Sequence, residues 1–187
     1  MTSSISLRIP AHFSSSEKSS SSKATSIPAI DEIAGSWFLT RTSVPFWKDK
    51  RNVVVTFTKV ESNNHFATLD NITTYQTLSS DKVKTVHGID TPAQGEPAFY
   101  DWRGCGWLRI ASSRWEIVGY GVTDDDGAWL LVYSHAFIFT SSGLILYSRK
   151  KNGLLEDVWA SIQAALGELQ VEAITDLAGN MFQVKSD

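Results

Sequence analysis

The stretch Gly35-Ser36-Trp37-Phe38-Leu39-Thr40-Arg41-Thr42-Ser43 begins a series of β-type segments. Its residues 36–43 are rich in Thr and aromatic side chains, which favour extended backbone. Seven further short segments of this character follow: residues 52–60, 65–76, 82–89, 99–110, 114–120, 129–139 and 144–149. The breaks contain pairs such as Asp126-Gly127, which supply the positive φ angles of tight hairpins. Eight short strands joined by hairpin-length links predict an antiparallel sandwich or an up-and-down barrel.

One helix is predicted after the strands, over residues 154–169. Its apolar side chains recur at spacings of three and four, which places them on one stripe: Leu155, Val158, Trp159, Ile162, Leu166 and Leu169. We expect this stripe to pack on the outside of the sheet, which is the only large surface available. Residues 171–175 together with 181–184 predict a short edge strand at the end of the chain.

The order of eight strands, one amphipathic helix and a short final strand resembles that of the lipocalins (calycins). Gly35-Ser36-Trp37 matches their Gly-x-Trp signature, and the resemblance covers residues 33–184. It implies an all-β fold, a single eight-stranded antiparallel barrel with one C-terminal helix. It also implies that Trp37 closes the barrel floor and that Arg149 packs across it. The chain is most similar to the intracellular lipocalin-like proteins, including barrels recruited into secondary metabolism.

The first thirty residues differ in composition from the rest of the chain. They include eleven serines and a single acidic residue, Glu17. We predict that residues 1–30 form a disordered tail, because such a segment buries too little apolar surface to fold. The predicted barrel domain is residues 31–187. A Ser-rich, acid-poor segment with scattered basic residues is also typical of an organelle transit peptide, which is the alternative interpretation.

The composition and motifs of the chain argue against several classes of function. The chain has 187 residues, a formal charge of −3 and a sequence pI of about 5.8, which argues against a nucleic-acid partner. No apolar run has the length of a membrane span. The only cysteine, Cys105, excludes an intrachain disulfide and favours a reducing, cytoplasmic location, with organelle import as the alternative. No phosphate loop, nucleotide fingerprint or zinc-type histidine spacing occurs, so we expect no cofactor and no metal.

The segment 129–139 provides the first candidate site residues. Alternation places Tyr133, His135 and Phe137 on one face of this strand. If that face points inward, it presents a phenol and an imidazole to the barrel interior. We expect His135 and Tyr133 to act as catalytic groups, since an imidazole exchanges protons near neutral pH. The alternative is a structural histidine that hydrogen-bonds a tyrosine or a backbone group.

Glu116 is the third predicted catalytic residue, a carboxyl group beside Trp115. The alternative is an exposed glutamate paired with Arg114 or Arg103. Further side chains on the same strands are predicted to bind the ligand: Arg41, Tyr100, Arg103, Trp107, Tyr120 and Phe137. The two arginines suit a carboxylate or enolate oxygen. For Arg103, the alternative is a structural ion pair with Asp101.

The sequence leaves two functions open for the predicted barrel. In the first, the barrel binds a small hydrophobic metabolite or biosynthetic intermediate and promotes its cyclisation or isomerisation without a cofactor. In the second, the barrel is a passive carrier of an apolar small molecule. A third interpretation, a filled barrel used as an interaction domain, is distinguished from both by the absence of an interior cavity.

Overall fold

The computed structural model describes residues 5–14, 25–61, 67–124, 127–137 and 140–187. Nine strands are found in this part of the chain: β1 Gly35–Thr42, β2 Lys50–Glu61, β3 Ala67–Thr77, β4 Ser80–Ala93, β5 Glu96–Gly104, β6 Ser112–Thr123, β7 Gly127–Ser134, β8 Gly143–Ser148 and β9 Phe182–Gln183. Three α-helices accompany them: α1 Ile30–Ile33, α2 Glu156–Glu168 and α3 Glu172–Gly179.

The first eight strands form a closed antiparallel barrel. Consecutive strands from β2 to β8 pair with one another, and β1 pairs with both β8 and β2. Residues 35–38 pair with β2, and residues 38–42 pair with β8. The predicted all-β barrel is therefore confirmed, and its architecture is consistent with a calycin-like fold.

The C-terminal region contains two helices where the sequence predicted one. Residues 172–179 belong to α3, so the edge strand expected at 171–175 is wrong, and only Phe182–Gln183 pairs with β1. Ile174 is fully buried, and side chains at helical spacing around it pack against the same apolar layer as α2: Val171, Leu177, Ala178 and Met181. Burial of this stripe favours a helix over an extended segment.

The barrel floor forms around Trp37 as the resemblance implied. The Trp37 indole Nε1 donates a hydrogen bond of 2.7 Å to the Ile33 carbonyl, and the Arg149 guanidinium lies 3.7 Å from the centre of the indole ring. Arg149 also donates hydrogen bonds to the carbonyls of Glu32, Ala34 and Ser36. Gly35 has a φ of 103°, and a Cβ there would lie 2.8 Å from Arg149 Nη1, so this position requires glycine.

Apolar side chains form two separate layers. The interior cluster lies inside the barrel and contains Trp37, Val55, Ile117, Leu130 and Val132 among its members. The outer cluster lies between the sheet and the terminal segments, and it is formed mainly by these side chains: Leu7, Val118, Trp129, Leu131, Tyr133, Leu144, Leu146, Trp159, Ile162 and Leu166. The large face of β7 therefore points outward, opposite to the arrangement considered from the sequence.

Part of the Ser-rich segment packs on the barrel. Leu7 is buried in the outer cluster, and the Arg8 backbone N–H donates to the Val118 carbonyl at 2.8 Å. These contacts differ from those expected of a tail that buries little surface. Residues 15–24, which contain many of the serines, lie outside the described residues, and the domain boundary at residue 30 stays a prediction.

The predicted strand at 99–110 ends earlier than expected. β5 stops at Gly104, and residues 106–108 form a 3₁₀ turn that begins with a φ of 60° at Gly106. A Cβ at Gly104 would lie 2.3 Å from the Leu108 carbonyl oxygen, so the chain folds back tightly on this glycine. The two glycines thus end the strand. The last predicted residues of β7, 138 and 139, lie outside the described residues.

Candidate functional site

The barrel interior contains a cavity of about 70 Å³. Apolar side chains from three strands and the indole of a fourth form most of its wall: Val55, Phe57, Trp115, Leu130, Val132 and Ile145. Four polar side chains also line it: Asn71, Thr73, Ser134 and Tyr147. An apolar space with a few directed polar groups is the usual composition of a small-molecule site.

A buried carboxyl group lies directly behind this wall. Asp90 on β4 is completely buried, and it accepts hydrogen bonds of 2.7 Å from Asn71 Nδ2 and from the Trp115 indole Nε1. Burial raises the pKa of Asp90 to about 6, although the two hydrogen bonds favour the charged form. Asp90 therefore exchanges its proton close to neutral pH, one hydrogen bond away from two side chains of the cavity wall.

Two tyrosines occupy the same interior. The Tyr100 ring stacks on the Trp115 indole with 4.3 Å between ring centroids, and Tyr147 lines the cavity. Burial, followed by the charge of Asp90, raises the pKa of Tyr100 to about 12 and raises the pKa of Tyr147 as well. No group among the described residues hydrogen-bonds either hydroxyl. Both phenols therefore stay protonated at neutral pH, and the Tyr147 hydroxyl is available as a donor to a ligand in the cavity.

The three predicted catalytic residues lie together, but outside the barrel. Glu116 is completely buried beneath the N-terminal segment, where it accepts hydrogen bonds from Arg8 Nη1 at 2.7 Å and from the Ala11 backbone N–H at 3.0 and 3.2 Å. His135 Nε2 is 3.4 Å from Glu116 Oε1 and makes no hydrogen bond with the described residues. The Tyr133 ring packs against Phe13. This group is separated from the cavity by the sheet itself.

Side-chain alternation along β1 did not predict the position of Arg41. The sequence placed Arg41 on the same side as Trp37, inside the barrel or at its mouth. A register shift between Leu39 and Arg41 in the pairing with β8 turns Arg41 outward instead. Its guanidinium lies 4.8 Å from the Trp159 ring centre and 3.3 Å from Glu156, so it attaches α2 to the barrel.

The remaining predicted ligand-binding residues divide between inside and outside. Tyr100 is interior, and Tyr120 packs against the interior cluster near the floor. Phe137 contacts Trp102 edge to face at 5.6 Å. Arg103 and Trp107 are exposed at the end of β5. Arg103 donates to the Arg109 carbonyl, and Asp101 pairs with Arg114 rather than with Arg103.

Sequence reasoning missed Asp90 and Asn71, the two polar residues that connect β4 and β3 inside the barrel. The predicted strand at 82–89 stopped one residue before Asp90, because Asp disfavours strands and is followed by Thr-Pro. Asn71 lies within the predicted strand at 65–76, and no sequence motif considered above indicates a role for it in a site. The available signal was alternation: Leu69, Asn71 and Thr73 share one face of β3, and Leu69 pairs directly with Asp90.

No group of three or more metal-binding side chains occurs among the described residues, which leave out His65. No helix in this part of the chain has the length and apolar character needed to cross a membrane. The fold and the interior site together define a class: a closed eight-stranded antiparallel barrel with a small cavity that apolar and polar side chains line. No protein-family profile matches the chain, and a search of curated proteins also finds no significant match.

Proposed function

We propose that the barrel binds a small, mostly apolar molecule that carries one polar end, such as a carbonyl or hydroxyl group. The observation that carries this proposal is the cavity, which combines an apolar wall with the unpartnered hydroxyl of Tyr147. Tyr147 is half-buried, and a phenol in such a position commonly has a hydrogen-bond partner. A ligand oxygen beside Tyr147 would supply that partner, while Asn71 and Ser134 offer further polar contacts.

The size of the cavity limits what binds. An engineered cavity of about 150 Å³ holds benzene, so a space of about 70 Å³ accepts a few heavy atoms without rearrangement. The ligand is therefore either very small or enters with one end only. In this proposal the polar end is recognised at depth, and the rest of a longer ligand extends toward the barrel mouth.

The proposal includes membership of the lipocalin-like family. Three features support it: the Gly35-Ser36-Trp37 signature at the start of β1, the closed barrel, and the Arg149 guanidinium across the Trp37 indole. The arginine at the end of the last barrel strand is the most informative of these, because Gly-x-Trp alone is common.

Isomerisation or cyclisation of the bound molecule is a second candidate function. The observation that favours it is Asp90, whose pKa of about 6 suits proton transfer at neutral pH. Asp90 would act directly on a ligand proton, because the Asn71 amide and the Trp115 indole donate hydrogen bonds to it and cannot relay a proton. Tyr147 would donate a hydrogen bond to a ligand oxygen that gains negative charge. In a passive carrier, by contrast, Asp90 would only orient Asn71 and Trp115.

Binding of 2-butanone to the ¹⁵N-labelled protein tests the proposal, with cyclopentane as a probe without a polar end. We expect 2-butanone to shift the resonances of cavity residues, including the Trp115 indole N–H. Tyr147→Phe should weaken binding about fivefold, because one hydrogen bond is lost. Tyr133→Phe is the matched control, since it removes the same hydroxyl from the outer cluster. Shifts confined to the outer cluster, or equal losses in both variants, would contradict interior binding.

The same sample in D₂O distinguishes the two functions. Exchange of the protons next to the ketone carbonyl, faster than in buffer and reduced in Asp90→Asn, supports catalysis. Binding without accelerated exchange supports a carrier.

A further inference from the structure

The β5–β6 loop, residues 105–111, exposes two large apolar side chains at one end of the barrel. Trp107 is 84% exposed and Ile110 is 87% exposed, the two highest values among the exposed large apolar residues of the described chain. Nothing in the proposed interior site uses either side chain. Two such residues three positions apart give this short loop an apolar tip, whereas exposed apolar side chains on a protein surface are normally scattered singly.

The loop holds these side chains outward through a dense set of backbone hydrogen bonds. The Leu108, Arg109 and Ala111 N–H groups donate within the loop, to Cys105, Gly106 and Leu108 respectively. Gly104 N–H donates to the Ala111 carbonyl, and the Cys105 N–H donates to the His87 carbonyl on β4. The tip is therefore built into the fold, and exposing Trp107 and Ile110 needs no conformational change.

Positive charge surrounds the apolar tip. Arg103 and Arg109 are both exposed, and neither forms an ion pair with a carboxylate in the described part of the chain. The sequence from 102 to 115 contains no acidic residue. The chain as a whole carries a formal charge of −3, so the segment 102–115 is opposite in charge to the chain as a whole.

We propose that the β5–β6 loop docks the barrel on an anionic lipid bilayer. Trp107 and Ile110 enter the interfacial region, where an indole is favoured, and Arg103 and Arg109 contact lipid phosphates. A single short loop is too small to bury the roughly 800 Å² per partner of a stable protein interface. Attachment to a bilayer needs only a few apolar side chains supported by basic residues. The occupant that fits this tip is therefore a membrane surface rather than a protein.

Flotation of the full chain with lipid vesicles tests this inference. At low salt we expect at least tenfold more protein on vesicles of 30% phosphatidylserine in phosphatidylcholine than on pure phosphatidylcholine. Trp107→Ser combined with Ile110→Ser should abolish the binding. Arg103→Gln combined with Arg109→Gln should weaken it and reduce its dependence on salt. Val122→Ser, which removes an apolar side chain that is 68% exposed at the other end of β6, is the control and should bind normally.

Quenching by brominated lipids locates the contact. Tryptophan fluorescence of the wild-type protein should be quenched on anionic vesicles, and most of this quenching should disappear in Trp107→Phe. Absence of binding to anionic vesicles overturns the inference, as does equal loss in Val122→Ser. Concentration-dependent dimerisation that Trp107→Ser removes, without vesicle binding, would overturn it in favour of a second copy of the chain.

Discussion

Asp90 and Glu116 are both completely buried carboxyl groups, yet their partners differ in charge. Inside the barrel, the groups that donate hydrogen bonds to Asp90 within the described part of the chain are both neutral, the Trp115 indole and the Asn71 amide. Outside the barrel, Glu116 faces the Arg8 guanidinium at 2.7 Å. Trp115 and Glu116 are adjacent on β6 and point to opposite faces, so one strand supports both arrangements. A buried carboxylate that is paired with a cation holds two parts of the structure together. A buried carboxyl group without a cation instead has a raised pKa.

The largest expected effect is the loss of the cation beside Glu116. Arg8→Ala leaves a buried carboxylate without its charged partner, so we expect the free energy of unfolding to fall by about 3–4 kcal/mol. Urea denaturation at pH 7 measures this. Arg114→Ala is the matched control: Arg114 also lies over the Phe99 ring, but its ion pair with Asp101 is exposed, and we expect a loss below about 1 kcal/mol.

A double variant separates the charge effect from lost packing. Arg8→Ala combined with Glu116→Gln removes the buried charge as well, so it should recover part of the stability that Arg8→Ala loses. Equal losses in Arg8→Ala and Arg114→Ala would show that the N-terminal segment does not depend on Glu116.

The pH dependence of stability tests the other carboxyl group. The pKa of Asp90 is raised from 3.8 to about 6 on folding, so the folded chain binds this proton more tightly than the unfolded chain. The stabilisation is therefore complete below about pH 4 and is lost as the pH rises to about 6. Relative to Asp90→Asn, the wild-type free energy of unfolding should fall by about 3 kcal/mol over this range.

Urea denaturation of both proteins at pH 4, 5, 6 and 7 provides the comparison. Glu116→Gln is measured alongside to show which part of the pH profile belongs to the outer carboxyl group. Parallel wild-type and Asp90→Asn profiles would mean that Asp90 keeps an ordinary pKa and is no proton-transfer group.

The barrel could be predicted from the sequence because hairpin turns, short alternating strands and Gly35-x-Trp37 all indicate it. Which face of each strand points into the barrel could not be predicted from the sequence, and β7 shows why. Its outer face is covered by residues 5–14 and by α2, so the strand is buried on both sides and both faces are apolar. Alternation identifies the inner face only when the other face is polar. The catalytic candidates were therefore sought on the large face, Tyr133 and His135, which points outward.

Asp90 was missed for a different reason. Its strand has a weak β pattern, since its first six residues are exposed, and the polar interior that uses Asp90 is assembled from partners 19 and 25 residues away, Asn71 and Trp115. No local spacing relates these three positions. Only strand pairing, which brings Leu69 opposite Asp90, places Asp90 beside the two cavity-wall residues that it contacts.

The smallest expected effect concerns the contact between His135 and Glu116. The variant His135→Phe tests whether the stability of the fold depends on this contact. His135 Nε2 is buried 3.4 Å from Glu116 Oε1 and makes no hydrogen bond with the described residues. Replacing an unsatisfied polar atom by an apolar one of similar shape costs little, and a phenyl ring keeps the ring contacts with Tyr133 and His12. We therefore expect His135→Phe to change the free energy of unfolding at pH 7.5 by less than about 0.5 kcal/mol. A loss approaching that of Arg8→Ala would instead make His135 a second partner that Glu116 needs, and the outer carboxyl group would then depend on two side chains rather than on one cation.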